Sequence, residues 1–352
     1  MANNTPVITK ETKNKIHVDY EGKLTFKERM MQKIKASNTW IMAAVNVFRF
    51  ILMLGVSYVI LYPFFARIAG SFMSKEDIVD PTVSLIPKNF TLDTYKYIRT
   101  ENNYLDALWH TLLLALLCAL IQTLISCLIG YGLAKFKFKG NNIVMGLVVL
   151  TMVIPHRALS SSMRGMLNNF DIFTVRTWGT EGLFELIFGE PLALSETFWP
   201  LILLSVAGIA LKNGLYIYLM RQFFKGVPDE LEESAYVDGS GVFRTFFEII
   251  IPLSVPMMIT VFIFSFSWQW TDEFYTNMFW PGGKDIGFYL MSDVYKSPPP
   301  TLQKLDGFAG WPLYKNVIQN TAGMLIILPL LILYTFCQKY LVQGIERSGI
   351  VG

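Results

Sequence analysis

Six runs of apolar residues, each long enough or nearly long enough to cross a bilayer, leave this 352-residue chain few ways to fold. A helix needs about 20 mostly apolar residues to span the hydrocarbon core. The runs cover about 43–66, 108–133, 143–158, 198–220, 253–270 and 321–341. They predict an all-α membrane protein with six transmembrane helices. Only 16% of the residues are charged, against about 25% in an ordinary soluble domain. Mean hydropathy is positive. The third run is the shortest and ends in Ile154-Pro155-His156-Arg157; the sixth contains Pro329, which predicts a kink that neighbouring helices tolerate. Arg49 lies near enough to the start of the first run to snorkel to the interface.

Lysine and arginine placement sets the expected orientation. The tail before the first run carries Lys10, Lys13, Lys15, Lys23, Lys27, Arg29, Lys33 and Lys35, and the short loop after the second run carries Lys135, Lys137 and Lys139. With six spans both lie on one face, together with Arg221, Lys225, Arg244, Lys339 and Arg347, so that face is expected to be the cytoplasm. Both termini are then cytoplasmic. Residues 1–42 form a polar N-terminal tail too long for an ordinary signal n-region, so the first run is expected to be a retained anchor. Three long outer connections remain, roughly 71–107, 159–197 and 273–320, apolar enough to be read as packed lids. Cys118, Cys127 and Cys337 all fall inside apolar runs without metal or redox spacing and read as small buried hydrophobes. A net charge of +3 gives no case for a nucleic-acid partner.

The polar stretch 226–252 sits between the fourth and fifth runs on the predicted cytoplasmic side. Glu230, Glu232 and Glu233 suit the first turns of a short helix, where the dipole favours carboxylates. Gly239 would supply the positive φ where that helix stops, with Asp238 orienting the turn, and Pro252 reads as a helix stop before the fifth run. Taken alone, such an acidic run could equally be a solvated helix face without a partner.

Its spacing, however, resembles the EAA loop of ABC importer permeases: Glu233-Ser234-Ala235, three residues, Gly239, nine residues, Ile249, one residue, then Ile251-Pro252. Ser234 replaces the family's second alanine and Ile251 its usual leucine. In that family the loop is a coupling helix that docks on an ATPase subunit, which assigns an ATPase-coupling role to Glu230, Glu232, Glu233, Ala235, Asp238 and Gly239. Further pieces resemble the carbohydrate-importer branch, which includes the second membrane subunit of the maltose transporter. They are SLIPKNFTLDTYKYI, IGYGLAKFKFKG, IYLMRQFFKGVPDELEESAYVDG, FSFSWQWTDEF and QKYLVQGIERSGIVG. The chain departs from the family after Pro155, where HRALSSSMRGMLNNF and about twenty extra residues precede the fourth run.

The resemblance implies a transmembrane permease domain over 43–343 and a cytoplasmic C-terminal tail at 344–352. It implies a sugar or oligosaccharide importer of the prokaryotic cytoplasmic membrane. A second permease subunit, two cytoplasmic ATPase subunits and an extracytoplasmic sugar-binding protein would complete it. The same loop would serve an importer of a non-sugar solute. No G-x-x-x-x-G-K-[ST] phosphate loop occurs, so energy is expected from a partner, and no cofactor is implied. An ion-coupled carrier would instead need midplane charges and inverted repeats, and neither is visible.

Polar residues in or beside the spans are the candidates for the substrate pathway: Gln122, Trp268, Gln269, Asp272 and Asn320. Equally, such groups bond to a neighbouring helix. Trp268 and Trp270 are about 200° apart on a helix, so only one can face a narrow lumen. Trp268 is the expected lining residue, with Asp272 one turn on presenting a carboxylate on the same face. His110 and His156 lack partners at ligand spacing.

Overall fold

The computed structural model describes residues 37–171, 182–195, 197–280, 289–296 and 310–347. The basic N-terminal tail up to residue 36, the triple proline at 298–300 and the last five residues lie outside the described residues. Among them the chain is helical, and its β pairing is confined to two isolated bridges, Met73–Phe90 and Phe170–Leu192.

Contacts divide the chain after Phe65. The first unit contributes most of helix α1 (Ser37–Ser71), apolar on every side and exposed from Trp40 to Phe65. An all-round apolar helix calls for burial in lipid or in other subunits.

The second unit is built around α4 (Tyr104–Lys135). The short helices α2 (Lys75–Val79) and α3 (Asp93–Glu101) precede it and lie in the connection between the first two apolar runs. Asp77 of α2 is buried and accepts from the backbone N–H and side-chain amide of Asn89, which ties that connection down. Beyond α4 come α5 (Asn141–Val153), α6 (His156–Asn168), α7 (Leu183–Phe188), α8 (Trp199–Val206) and α9 (Asn213–Lys225). Then follow α10 (Glu230–Val237), α11 (Val242–Thr245), α12 (Ile251–Trp270), α13 (Phe274–Phe279), α14 (Met291–Lys296) and α15 (Trp311–Arg347). Helices α8, α9 and α12 pack on α4, and α15 packs on α12. Small residues let the backbones approach: a Cβ on Gly130 of α4 would lie 2.6 Å from Met220 Cβ and 2.9 Å from the Arg221 nitrogen of α9.

Among the described residues four helical stretches are long and apolar enough to cross a membrane, 40–71, 104–135, 242–270 and 311–341; a fifth arises if α5 and α6 count as one span. The remaining two expected spans are broken. At the third, α5 and α6 meet at 100°. Ile154 is extended ahead of Pro155, as a residue before proline prefers, and Pro155, extended itself, sits at the N-cap of the new helix. The run at 198–220 is two helices, not one, because Gly208 (φ +71°) and Lys212 (φ +64°) turn the chain through the left-handed region. Turn hydrogen bonds satisfy the freed backbone, among them Ile209 N–H to Leu204 C=O and Asn213 N–H to Ala210 C=O.

Pro252 does not stop a helix. A π-helical turn at Phe246–Ile250 joins α11 to α12, and the helix runs through from Val242 to Trp270. The wide turn absorbs the carbonyl that a proline cannot serve. Cys118 and Cys127 are buried free thiols, as expected, while Cys337 is only partly buried.

Candidate functional site

The acidic stretch forms α10, with Glu230, Glu232 and Glu233 in its first turn. It ends in a Schellman cap: the Ser240 N–H reaches Ala235 C=O at 2.9 Å and the Gly239 N–H reaches Tyr236 C=O at 3.0 Å. Gly239 sits at φ +86°, the conformation anticipated for it. Asp238 plays a smaller part than expected, since its contribution to the turn is its backbone N–H on Ser234 C=O.

One side of α10 is buried. Glu232 and Ala235 face the body of the protein, while Glu230, Glu233 and Val237 point outward. Phe243, just after the turn, is 80% exposed beside a polar helix. The inner attachment is made by Lys135, the last residue of α4, whose side chain is only 6% exposed. Its Nζ donates to Val227 C=O at 2.6 Å and to Asp229 Oδ1 at 2.5 Å, and lies 3.8 Å from Glu232 Oε1. The hydrogen bond from Lys135 holds the Asp229 carboxyl below its ordinary range. Burial pushes the Glu232 carboxyl up, against the pull of Lys135. Tyr131, one turn earlier on α4, packs on Phe224 of α9 and on Phe246 in the π turn, with ring centroids 5.5 and 4.8 Å apart. The Lys135 end of α4, the Lys225 end of α9, helix α10 and the π turn therefore form one packed unit.

Sequence reasoning counted Lys135 only as a marker of orientation. Its signal was present in Ala134-Lys135 at the end of an apolar run, but three lysines alternate there and spacing alone does not say which one turns inward.

The candidates inside the membrane divide by environment. Gln122 is buried and bridges three helices: its Nε2 donates to Ser205 Oγ of α8 at 3.0 Å, and its Oε1 accepts from Ser265 Oγ of α12 at 2.7 Å. Trp270 is buried, with its indole N–H on Ile326 C=O at 2.8 Å. Gln269 is buried, and Asn320 is partly buried on α15. Asp272 is buried too, and its carboxylate accepts from the backbone N–H groups of Tyr275 and Thr276. It caps α13 rather than offering a free carboxylate beside Trp268. Trp268 is 47% exposed, with Lys212 Nζ 5.0 Å from its ring centroid. His156 Nδ1 lies 3.0 Å from the Tyr275 hydroxyl.

A family model described as "Binding-protein-dependent transport system inner membrane component" matches residues 122–347. That range takes in Gln122, both helix breaks, α10 and Trp268. The chain is 26% identical over 305 residues to Protein LplC of Bacillus subtilis, covering 85% of this chain and 92% of that protein. It is 26% identical over 312 residues to the polygalacturonan/rhamnogalacturonan transport system permease protein YtcP of the same organism, covering 87% and 97%. Among solved structures it resembles a chain of a bacterial ABC transporter involved in the import of the acidic polysaccharide alginate, with a TM-score of 0.60 and 18% identity. The likeness covers 87% of this chain and 98% of that one, and at this identity it speaks to the fold.

Proposed function

The chain belongs to the family of binding-protein-dependent transport system inner membrane components, and on that footing we propose that it is the permease half of an ATP-driven importer for a sugar or oligosaccharide. It is a multi-pass membrane protein. Each broken pair, α5–α6 and α8–α9, counts as one crossing, which gives six crossings with both termini in the cytoplasm. A second permease subunit completes the pathway, two cytoplasmic ATPase subunits drive it, and an extracytoplasmic binding protein delivers the sugar. The sugar class is supported by relatives such as the polygalacturonan/rhamnogalacturonan permease.

The observation that carries this reading is the two-sided character of α10. Its inner side is anchored to α4 by Lys135. Its outer side offers Glu230, Glu233, Val237 and the exposed ring of Phe243 to a partner. A carboxylate pair beside exposed apolar groups suits a protein surface in which a basic rim surrounds an apolar cleft. ATP-driven closure of the partner pair would move α10, and with it the inner ends of α4 and α9. Coupling of this kind needs a two-state element that both sites bias.

The test uses the assembled complex with Cys118, Cys127 and Cys337 replaced by serine. A cysteine at Val237 should cross-link to an ATPase subunit, and Glu233→Lys should weaken ATPase co-purification. A complex that retains its ATPase yet shows neither effect would refute α10 as the docking element.

A further inference from the structure

The breaks in the two spans bring positive charge into the depth of the membrane. Helix α9 starts after Lys212 and crosses α5 closely. A Cβ on Gly214 would lie 2.5 Å from Thr151 Oγ1 and 2.9 Å from Val148 C=O, so glycine is required for this approach. Helix α5 ends two residues after Thr151, and α6 opens at His156. Lys212, just ahead of α9, carries its Nζ over the half-exposed Trp268 ring.

The depth follows from contacts. Ser265 is bonded to Gln122, which lies near the middle of α4, and Trp268 is three residues further, about 5 Å along the axis. Lys212 and Trp268 are thus near mid-span. At such depth a charged side chain faces the bundle interior, another subunit or a water-filled route, and not acyl chains.

Helix α6, beyond the bend of the third span, adds to this. Arg157, Ser160, Ser161 and Arg164 fall at i, i+3, i+4 and i+7 and share one face. Arg157, Ser161 and Arg164 are exposed. The two arginines are about 10 Å apart along the axis. Among the described residues no carboxylate pairs with Lys212, Arg157 or Arg164. The carboxylate closest in sequence to Trp268, Asp272, is committed to the cap of α13. Both α6 and α9 begin here, 13 residues each, so their positive dipole ends reinforce the cations.

Resting on the carbohydrate reading above, we propose that the breaks form a binding step for an anionic glycan. A sugar ring stacks on Trp268, its acidic group sits at Lys212, and further acidic groups follow Arg157 and Arg164 along α6. A neutral sugar would leave these cations uncompensated in a low-dielectric passage, so the arrangement selects by charge as well as by shape. The order along the route is from α6, on the outer side of the bend, to Lys212 near mid-span.

The test is uptake by the complete importer in phosphatidylcholine vesicles, comparing a uronic acid trisaccharide with its carboxyl-reduced, neutral counterpart. Taking the ratio of the two uptakes in each variant cancels the preference of the binding protein. Lys212→Gln should lower the acidic-to-neutral ratio by roughly tenfold or more, the scale of one lost charged contact. Lys212→Arg should keep it near the wild-type value. Arg157→Gln combined with Arg164→Gln should move it in the same direction as Lys212→Gln. An unchanged ratio in Lys212→Gln, or wild-type uptake of the neutral trisaccharide alone, overturns the inference. So does an effect that needs phosphatidylglycerol in the vesicles, which would assign the cations to lipid headgroups. Loss of the second permease subunit in Lys212→Gln would assign Lys212 to an ion pair between subunits, and likewise overturns it. An assembled wild-type complex that moves neither trisaccharide refutes the carbohydrate reading itself.

Discussion

Replacing Lys135 by methionine keeps the length of the side chain and removes its charge. The ammonium is nearly enclosed and donates to Val227 C=O and Asp229, with Glu232 Oε1 3.8 Å away. Asp229 is exposed and returns to water, so it adds little. The charged hydrogen bond to a buried carbonyl is worth about 1.5–3 kcal/mol, and the ion pair with Glu232 adds a smaller, partly screened share. We expect the attachment of α10 to α4 to weaken by about 2 kcal/mol, roughly 30-fold in its equilibrium. Hydrogen exchange of the amides in 230–237 reads this directly, while amides in the middle of α4 should keep their protection.

The same variant has a pH signature. Burial holds the Glu232 carboxyl above its ordinary 4.5, so its ionised form opposes docking of α10. The stability this group contributes is full below 4.5 and is lost as pH rises through the folded-state value. Lys135 pulls that value down, and its removal lets it rise further. Acidifying Lys135→Met from neutral toward 4.5 should therefore restore part of the protection, and Lys135→Met with Glu232→Gln should lack that response. Unchanged exchange of 230–237 in Lys135→Met would refute the attachment. A pH response that survives Glu232→Gln would refute the electrostatic part.

Gly239→Val should destabilise the α10 turn more than Gly239→Asn, because a β-branched residue is an outlier at φ +86° and asparagine tolerates it; equal melting of the two purified variants would count against the cap. Gly130→Ala should lower the melting temperature of the complex, since its Cβ meets α9 backbone and overpacking costs about 1–3 kcal/mol. Gly132→Ala, with open space around it, serves as the control, and similar melting of the two would show that α4 and α9 are not in close contact. For orientation, a cysteine at Ser240 should resist a membrane-impermeant maleimide in intact cells, and one at the exposed Ile86 should react. The reverse pattern would invert the topology.

What could be read in the sequence follows from the physics each residue obeys locally. Apolar length exposes α1, α4 and α15 directly, because lipid removes the alternatives to a helix. The positive φ of Gly239 was legible because glycine after an acidic helical turn has one common use. The breaks were harder. Gly208 and Lys212 sit inside a run apolar enough for a span, and only tertiary contacts, such as Gly214 against α5, reveal why the helix stops there. Pro252 shows the opposite error: proline predicted a stop, and a π turn carried the helix through. Asp272 looked like a free carboxylate on the Trp268 face. Its use as a cap depends on α13, a helix of six residues with no strong signal of its own.

Helix α9 connects the two proposed sites. Its first turn follows Lys212, and its last leads through Gly226 and Val227 into α10. Thirteen residues give it a length of about 20 Å. Because Gly130 locks its inner half to α4 while Gly214 locks its outer end to α5, α9 has little freedom to bend between them. A displacement of α10 imposed by a partner would therefore reach Lys212 as rigid-body movement. An unbroken helix over 198–220 would carry the same push, but it would bury position 212 in the run of a transmembrane helix. Breaking it at Gly208–Lys212 leaves a lysine at the head of the lever, where a charged sugar can meet it. The departure from a simple six-helix pattern would thus let one short helix join the proposed docking element α10 to the proposed sugar-binding step at Lys212.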